Sequence, residues 1–362
     1  MGGCCVADRL AVTEQERNET IDTVEAERFK RDKNVIKLLL LGGGGSGKST
    51  IFKQILDIHG QTVEEHEREL YIPFIAENVI NSMIALVKQS IELSKTHPEW
   101  DTAISDSSAS SRKFFLSLKE NAGLEITLEI ANHIKILWAD RGIKNTFEKA
   151  DLCLHQIADC ADYFFDKIEE IVDDGYKPTF ADLVRIRLRT TGIIESEFDV
   201  NDIKIKMIDV GGQKNERRKW IHAFDKVNGV LFIVALNGYD QCCFEDSSKN
   251  RLIESLEIFE HLLETECFKK TPFILFLNKT DLFRKAITRV SLSKLFPGYS
   301  GPMEYEQSLL FIRSKFEDIA KKHDKVLYVH ATCATDRDHI RLVFGDVKDY
   351  ILSESLKDMG FL

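Results

Sequence analysis

Eight residues constrain this chain more than anything else in it: Gly42-Gly43-Gly44-Gly45-Ser46-Gly47-Lys48-Ser49. They fit G-x-x-x-x-G-K-[ST], a pattern that carries meaning where a strand leads in and a helix leads out. Val35–Leu41 is apolar except for Lys37, which predicts a buried parallel strand, and Ile51, Ile55 and Ile58 recur at helical spacing over 48–58. A glycine bend in that setting turns backbone N–H groups from Gly43, Gly44, Gly45, Ser46 and Gly47 toward a polyphosphate, and the helix opening through Thr50 adds its dipole. Lys48 reaches the outer phosphates. Ser49 offers a hydroxyl to Mg²⁺, an ion that prefers oxygen ligands. The loop implies a nucleoside triphosphate but fixes neither base nor reaction.

The rest of the chain divides by pattern. Residues 7–34 are dense in charge, lack Pro and Gly, and space Ile21, Val24 and Phe29 helically, so 1–34 reads as an exposed leader helix. From about 63 to 183 strand signals vanish, and Tyr71–Lys95, Leu124–Trp138 and Ala150–Val172 read as amphipathic helices around a polar loop at Ser105–Ser111. Strand patterns return at Ile203–Ile208, Gly229–Leu236, Phe273–Leu277 and Val326–His330, with helices between most of them. The expected fold is therefore α/β, a mostly parallel sheet formed by 35–62 and 184–362, interrupted by an all-helical insertion over 63–183.

Composition narrows the class further. Hydrophobic residues make up 43% and net charge is −10, which supports a sizeable core and argues against nucleic acid as a partner. None of the eight cysteines forms a C-x-x-C pair, so zinc and dithiol motifs are not expected and the reading is a cytosolic chain with reduced thiols. No uninterrupted apolar run approaches the ~20 residues of a membrane span.

Two further segments bear on the chemistry. Ile205–Asp209 ends a strand in a carboxylate and is followed by Val210-Gly211-Gly212-Gln213. Asp209 at such a strand end holds the metal's water shell, the two glycines let a backbone N–H approach a γ-phosphate, and Gln213 stands where an attacking water is oriented. Phe273–Leu277 is closed by Asn278-Lys279-Thr280-Asp281. A buried carboxylate at Asp281 accepts from both N1–H and the 2-amino group of guanine. Adenine would leave it unpaired, at a cost of ~1–3 kcal/mol. Asn278 and the Lys279 stem are expected to shape this pocket, and the Ala334 N–H to meet the guanine carbonyl.

In this order the motifs resemble the Ras-like GTPase superfamily. The long helical insertion and the run Val184-Arg185-Ile186-Arg187-Leu188-Arg189-Thr190-Thr191-Gly192 narrow the resemblance to heterotrimeric G-protein α subunits. It extends over nearly the whole chain. It implies Val184 and Arg185 at the nucleotide, Arg187 as an arginine finger supplied in cis, Gln213 as the water-positioning residue, and Thr190 beside Ser49 on Mg²⁺. It implies GTP hydrolysis to GDP, with nucleotide release retarded by the helical insertion. It also implies a βγ dimer bound to the GDP form through the leader helix and Lys214–Trp220, a seven-helix receptor at the tail Met359–Leu362, and effector and regulator proteins. Lipid on Gly2, Cys4 and Cys5 would anchor the chain at the cytoplasmic face of the plasma membrane, although Val6 departs from the Ser or Thr usual for myristoylation.

Gly45 also departs from the family, most of whose members have Glu there to pair with the arginine equivalent to Arg187. The expectation is a looser loop, a less restrained Arg187 and faster nucleotide exchange. Two rival readings fit these residues less well. A P-loop ATPase or kinase is disfavoured by Asn278–Asp281, and a non-hydrolysing scaffold by the presence of both Arg187 and Gln213.

Overall fold

The computed structural model describes residues 35–120, 122–153, 157–200, 203–243 and 245–358. The leader helix, the lipidation residues Gly2, Cys4 and Cys5, and the tail Met359–Leu362 lie outside them.

Six strands form one sheet in the order β2-β3-β1-β4-β5-β6: β1 (Val35–Leu41), β2 (Ile193–Val200), β3 (Ile203–Val210), β4 (Gly229–Ala235), β5 (Phe273–Asn278) and β6 (Leu327–Thr332). All pairs are parallel except β2–β3. Every residue of β4 and β5 is buried, as continuous apolar runs require when helices cover both faces. The two-residue period of β1 divides its leucines between two cores. Leu39 and Leu41 meet Phe232, Phe259 and Phe316 on one face, and Leu38 and Leu40 meet Ile51, Ile55 and Phe344 on the other. Four helices supply those partners: α1 (Lys48–Ile58) and, after the insertion, α6 (Arg251–Glu264), α8 (Tyr305–Lys322) and α9 (Arg337–Asp358), with the short α7 (Thr280–Ile287) following β5.

The antiparallel edge strand β2 was absent from the sequence reading. Its segment IIESEFDV carries three carboxylates, and cross-strand pairing holds it: Lys206 binds Glu195 at 2.5 Å, and Phe198 is its one fully buried side chain.

The insertion contains α2 (Ile72–Thr96), α3 (Ala109–Ser117), α4 (Leu128–Ala139) and α5 (Arg141–Cys153). These helices pack a separate apolar cluster running from Ile75 to Ile186, with Phe115, Phe164 and Phe165 at its centre. Ile186 therefore packs with the helices although it lies past the boundary at 183. The segment containing α2 is long and apolar enough to cross a membrane, with a mean hydropathy of 1.6 in its most apolar stretch, but 56% of that stretch is buried inside the protein. It is the central helix of this cluster.

Three boundaries differ from expectation. The helix expected from Leu124 begins at Leu128, because the Thr127 hydroxyl accepts from the Ile130 N–H and caps it. The run expected as one helix over Ala150–Val172 is broken: α5 ends at Cys153, and short turns follow at Ala161–Asp166 and Ile168–Ile171. Between them the Ala158 N–H goes to the Ser82 hydroxyl rather than to a helical carbonyl. The polar stretch Ser105–Ser111 is a loop only at its start. Ser105 hydrogen-bonds Asp140 through both its N–H and its hydroxyl, and the chain turns from there into α3.

Candidate nucleotide and metal site

Strands β1, β3, β5 and β6 deliver their carboxyl ends to one side of the sheet, where ligands bind in open α/β folds. A cavity of about 960 Å³ lies there, between the sheet's loops and the helical segment. Its walls carry nearly every residue singled out above, from Gly44–Thr50 and Val184–Thr190 to Gly212, Gln213, Asn278, Lys279, Asp281 and Ala334.

Residues 42–47 link β1 to α1, and Lys48 opens the helix. Its ammonium is 5% exposed and donates to the carbonyls of Gly42 and Gly43 at 2.9 Å each. Burial lowers its pKa to about 8, with Asp209 opposing and Arg217 adding to the fall. A buried ammonium on two neutral carbonyls is poised for a stronger anionic partner. Gly212 packs against it. A Cβ there would overlap Lys48 Nζ and sit 2.7 Å from the oxygens of Gly42 and Gly43, so only glycine lets this backbone close on the loop.

The hydroxyls of Ser49 and Thr190 are 2.6 Å apart, and Ser49 donates to Asp209 Oδ2 at 2.6 Å. Asp209 is 1% exposed, and its Oδ1 is buried without a hydrogen-bond partner. Burial drives its carboxyl upward from the ordinary value, against Lys48, Ser49 and Lys53. Two hydroxyls and an unsatisfied carboxylate oxygen fit the needs of a hard divalent cation. Among the described residues no cluster of His, Cys, Asp and Glu offers an alternative metal site.

The second glycine segment is tied down on both sides. Gly211 N–H donates to the Gly192 carbonyl at 3.1 Å, and Glu216 accepts from the Gly192 N–H at 2.9 Å. Trp220 Nε1 donates to the Gly211 carbonyl, while Arg217 donates to that of Gly212 and pairs with Glu254 of α6 at 2.9 Å. Gln213 is half-buried with its backbone and Cγ beside Gly44.

Arg187 extends into the exposed cavity wall, and its backbone is held at both ends by Asn78 of α2, which accepts from its N–H and donates to its carbonyl. Burial lowers the guanidinium's pKa, Asp159 raises it, and Arg251 and Arg189 lower it again. Its neighbours Val184 and Arg185 line the same cavity: the Val184 carbonyl accepts from Thr50 at 3.2 Å, and Arg185 donates back to Ala181 and lies over the Tyr163 ring.

The base-side loop departs from expectation at one point. Asp281 stands exposed on the cavity wall, where a base would cover it. Ala334 N–H, expected to meet a guanine carbonyl, donates instead to Asn278 Oδ1 at 3.0 Å. The cause is Asn278, fully buried at the end of β5. Its Oδ1 also accepts from Thr332, and its Nδ2 donates to the Ser46 carbonyl at 2.8 Å, so one amide joins the loop after β6 to the phosphate loop. Lys279 adopts a left-handed backbone at φ 64°, a strained conformation for a residue with a side chain, and its ammonium reaches Asp159 of the helical segment at 2.5 Å.

The family model for the G-protein alpha subunit matches residues 15–351. The chain belongs to that family. It is 42% identical over 349 residues to the guanine nucleotide-binding protein alpha-4 subunit of Dictyostelium discoideum, a match covering 95% of this chain and 97% of that one. As a G-protein alpha subunit it binds guanine nucleotides and is a GTPase. Sequence reasoning missed three residues of this alpha subunit: Asp159 and Arg251 on the cavity wall, and Asn78, which holds the Arg187 backbone. Each lies outside every motif and more than a hundred residues from the group it contacts, so no local pattern marks it.

Proposed function

We propose that the chain is a GTP-hydrolysing switch that relays signals from seven-helix receptors to effectors and is bound to βγ in its GDP form. The observation that carries this reading is the meeting of Ser49, Thr190 and the partnerless Asp209 oxygen beside Lys48, with Gly212 closing on the same loop. A cation held there would join the phosphate loop to the segments that carry Thr190 and Asp209, so loss of a terminal phosphate would be felt by both.

In the proposed mechanism the amides of Gly43–Gly47 and Lys48 cradle the β- and γ-phosphates. Ser49 and Thr190, with Asp209 beside them, would hold Mg²⁺, which would supply neutralisation of the developing charge. Gln213 orients a water in line with the γ-phosphorus. The bond to the β–γ bridging oxygen breaks as the new P–O bond forms, giving GDP and phosphate. Arg187 places its guanidinium on the γ-phosphoryl oxygens, an effect worth ~10³–10⁵ in rate. Asp281 selects guanine from the open wall of the cavity, and Asn278 holds the surrounding loops in register.

The reading extends to the rest of the chain by family likeness. Segment 1–34 with Lys214–Trp220 receives βγ, and Met359–Leu362 enters the receptor. Gly2, Cys4 and Cys5 carry lipid that holds the protein at the cytoplasmic face of the plasma membrane. Single-turnover GTP hydrolysis tests the core of this reading. Gln213→Leu and Arg187→Ala are expected to retain Mg²⁺-dependent GTP binding while each slows hydrolysis at least ~100-fold. Unchanged hydrolysis in both variants overturns the assignment.

A further inference from the structure

Four consecutive glycines make the phosphate loop unusually free to rotate its peptide planes. A cradle works only if the N–H groups face the anion and the carbonyls face away. The structure contains a group that holds two of these carbonyls. Arg251, first residue of α6, sends Nη2 to the carbonyls of Gly44 at 3.1 Å and Gly45 at 3.3 Å, while Nη1 donates to Gln241 Oε1. Asn250 caps the helix, accepting from the Leu252 and Ile253 N–H groups, and the Arg251 N–H donates to the Gln241 carbonyl at 2.9 Å. The guanidinium thus springs from a fixed point.

Gly45 makes room for it. With φ at +71°, a Cβ on Gly45 would come within 2.8 Å of Arg251 Nη2. The volume that a side chain at this position would fill holds the arginine's donors instead.

Resting on the nucleotide site proposed above, we propose that Arg251 is a positioning residue. It grips the carbonyl side of the Gly44 and Gly45 peptides and fixes their planes, the Ser46 N–H of the second plane donating to the Gly43 carbonyl at 3.4 Å, and it ties the loop to the segment before α6 through Gln241. A peptide plane carries N–H and C=O on opposite edges, so holding the oxygen sets the direction of the next amide. Hydrogen bonds from a charged donor are strong enough to decide between two otherwise similar glycine conformers. The inference runs against the simple expectation from Gly45. The loop is loose by composition and is held from outside.

Arg251→Met tests this, because it keeps the stem that packs on Gly238 and removes the donors. Release of a fluorescent GDP analogue is expected to quicken about tenfold, the loss of one to two charge-assisted bonds. Arg251→Lys, which reaches one carbonyl at a time, is expected to recover part of that loss. The decisive arm stiffens the loop itself. A Cβ on Gly43 meets only ordinary contacts at 3.7 Å, so Gly43→Ala reduces the loop's freedom without a clash. In that background the effect of Arg251→Met is expected to shrink to threefold or less. Release within twofold of the parent for Arg251→Met, or an undiminished effect in the Gly43→Ala background, overturns the proposal. Failure of the parent protein to bind GDP would instead overturn the site reading on which it rests.

Discussion

Gly212 shows how much can depend on one missing side-chain atom. Its Cα faces an ammonium and two carbonyl oxygens with no space for a methyl group. Gly212→Ala is therefore expected to bind GDP while failing to close on GTP. Trp220, hydrogen-bonded to Gly211, provides the readout: the fluorescence change on exchanging GDP for a non-hydrolysable GTP analogue with Mg²⁺ should be lost in the variant. Asp182 acts through packing rather than chemistry. Its fully buried carboxylate accepts from Lys167, Tyr163, Tyr176 and Thr179. Asp182→Ala leaves Lys167 without its buried partner and should cost about 3–5 kcal/mol in urea unfolding. Burial alone would raise this carboxyl's pKa, but Lys167, Tyr163 and Thr179 outweigh it and hold it below the ordinary 3.8. A carboxyl depressed on folding contributes stability that is complete above the unfolded value and fades as pH falls through the folded one. Urea midpoints of the native chain should accordingly drop below about pH 4 more steeply than those of Asp182→Ala.

At the scale of elements, what could be read from the sequence was whatever its own neighbours determine. β1, β4 and β5 are apolar on both faces and stand within a residue of where their patterns put them. The phosphate loop was legible because glycine spacing, strand and helix all lie within some twenty residues. β2 was not, since its charged alternation acquires meaning only opposite Lys204 and Lys206 of β3. The broken run after Ala150 was hidden for the same reason: the groups that interrupt it, Ser82 and Lys279, come from elsewhere in the chain. The engagement of Ala334 by Asn278 likewise appears only when two strand ends are placed side by side. Phe198 of β2 gives the element-level test. It is 4% exposed, stacks on His59 at the end of α1 with centroids 4.7 Å apart, and neighbours Phe344 of α9. Phe198→Ala should destabilise the protein by about 3–5 kcal/mol. Because burial is the main cause of the lowered His59 pKa, the same variant should move its imidazole titration back toward 6.5, measurable by NMR.

Taken whole, the molecule is a sheet with a core on each face and a helical segment with a core of its own, facing each other across the cavity. Polar contacts span the cavity. Lys279 and Asn237 meet Asp159, Arg289 meets the Glu148 carbonyl, Lys53 meets the Leu183 carbonyl, and Thr50 meets that of Val184. Asp159 is pushed up by burial but pulled down more strongly by Lys279 and Arg251, to about 2. Its side chain is still about a third exposed, so water screens the pair and its worth is held to about 1 kcal/mol. Asp159→Asn should therefore speed GDP release by no more than about fivefold, a modest change that a stopped-flow measurement resolves. Because each side of the seam packs its own core, the two sides are expected to separate without either unfolding, so a partner that pulls only on the outside would set how long a nucleotide stays between them.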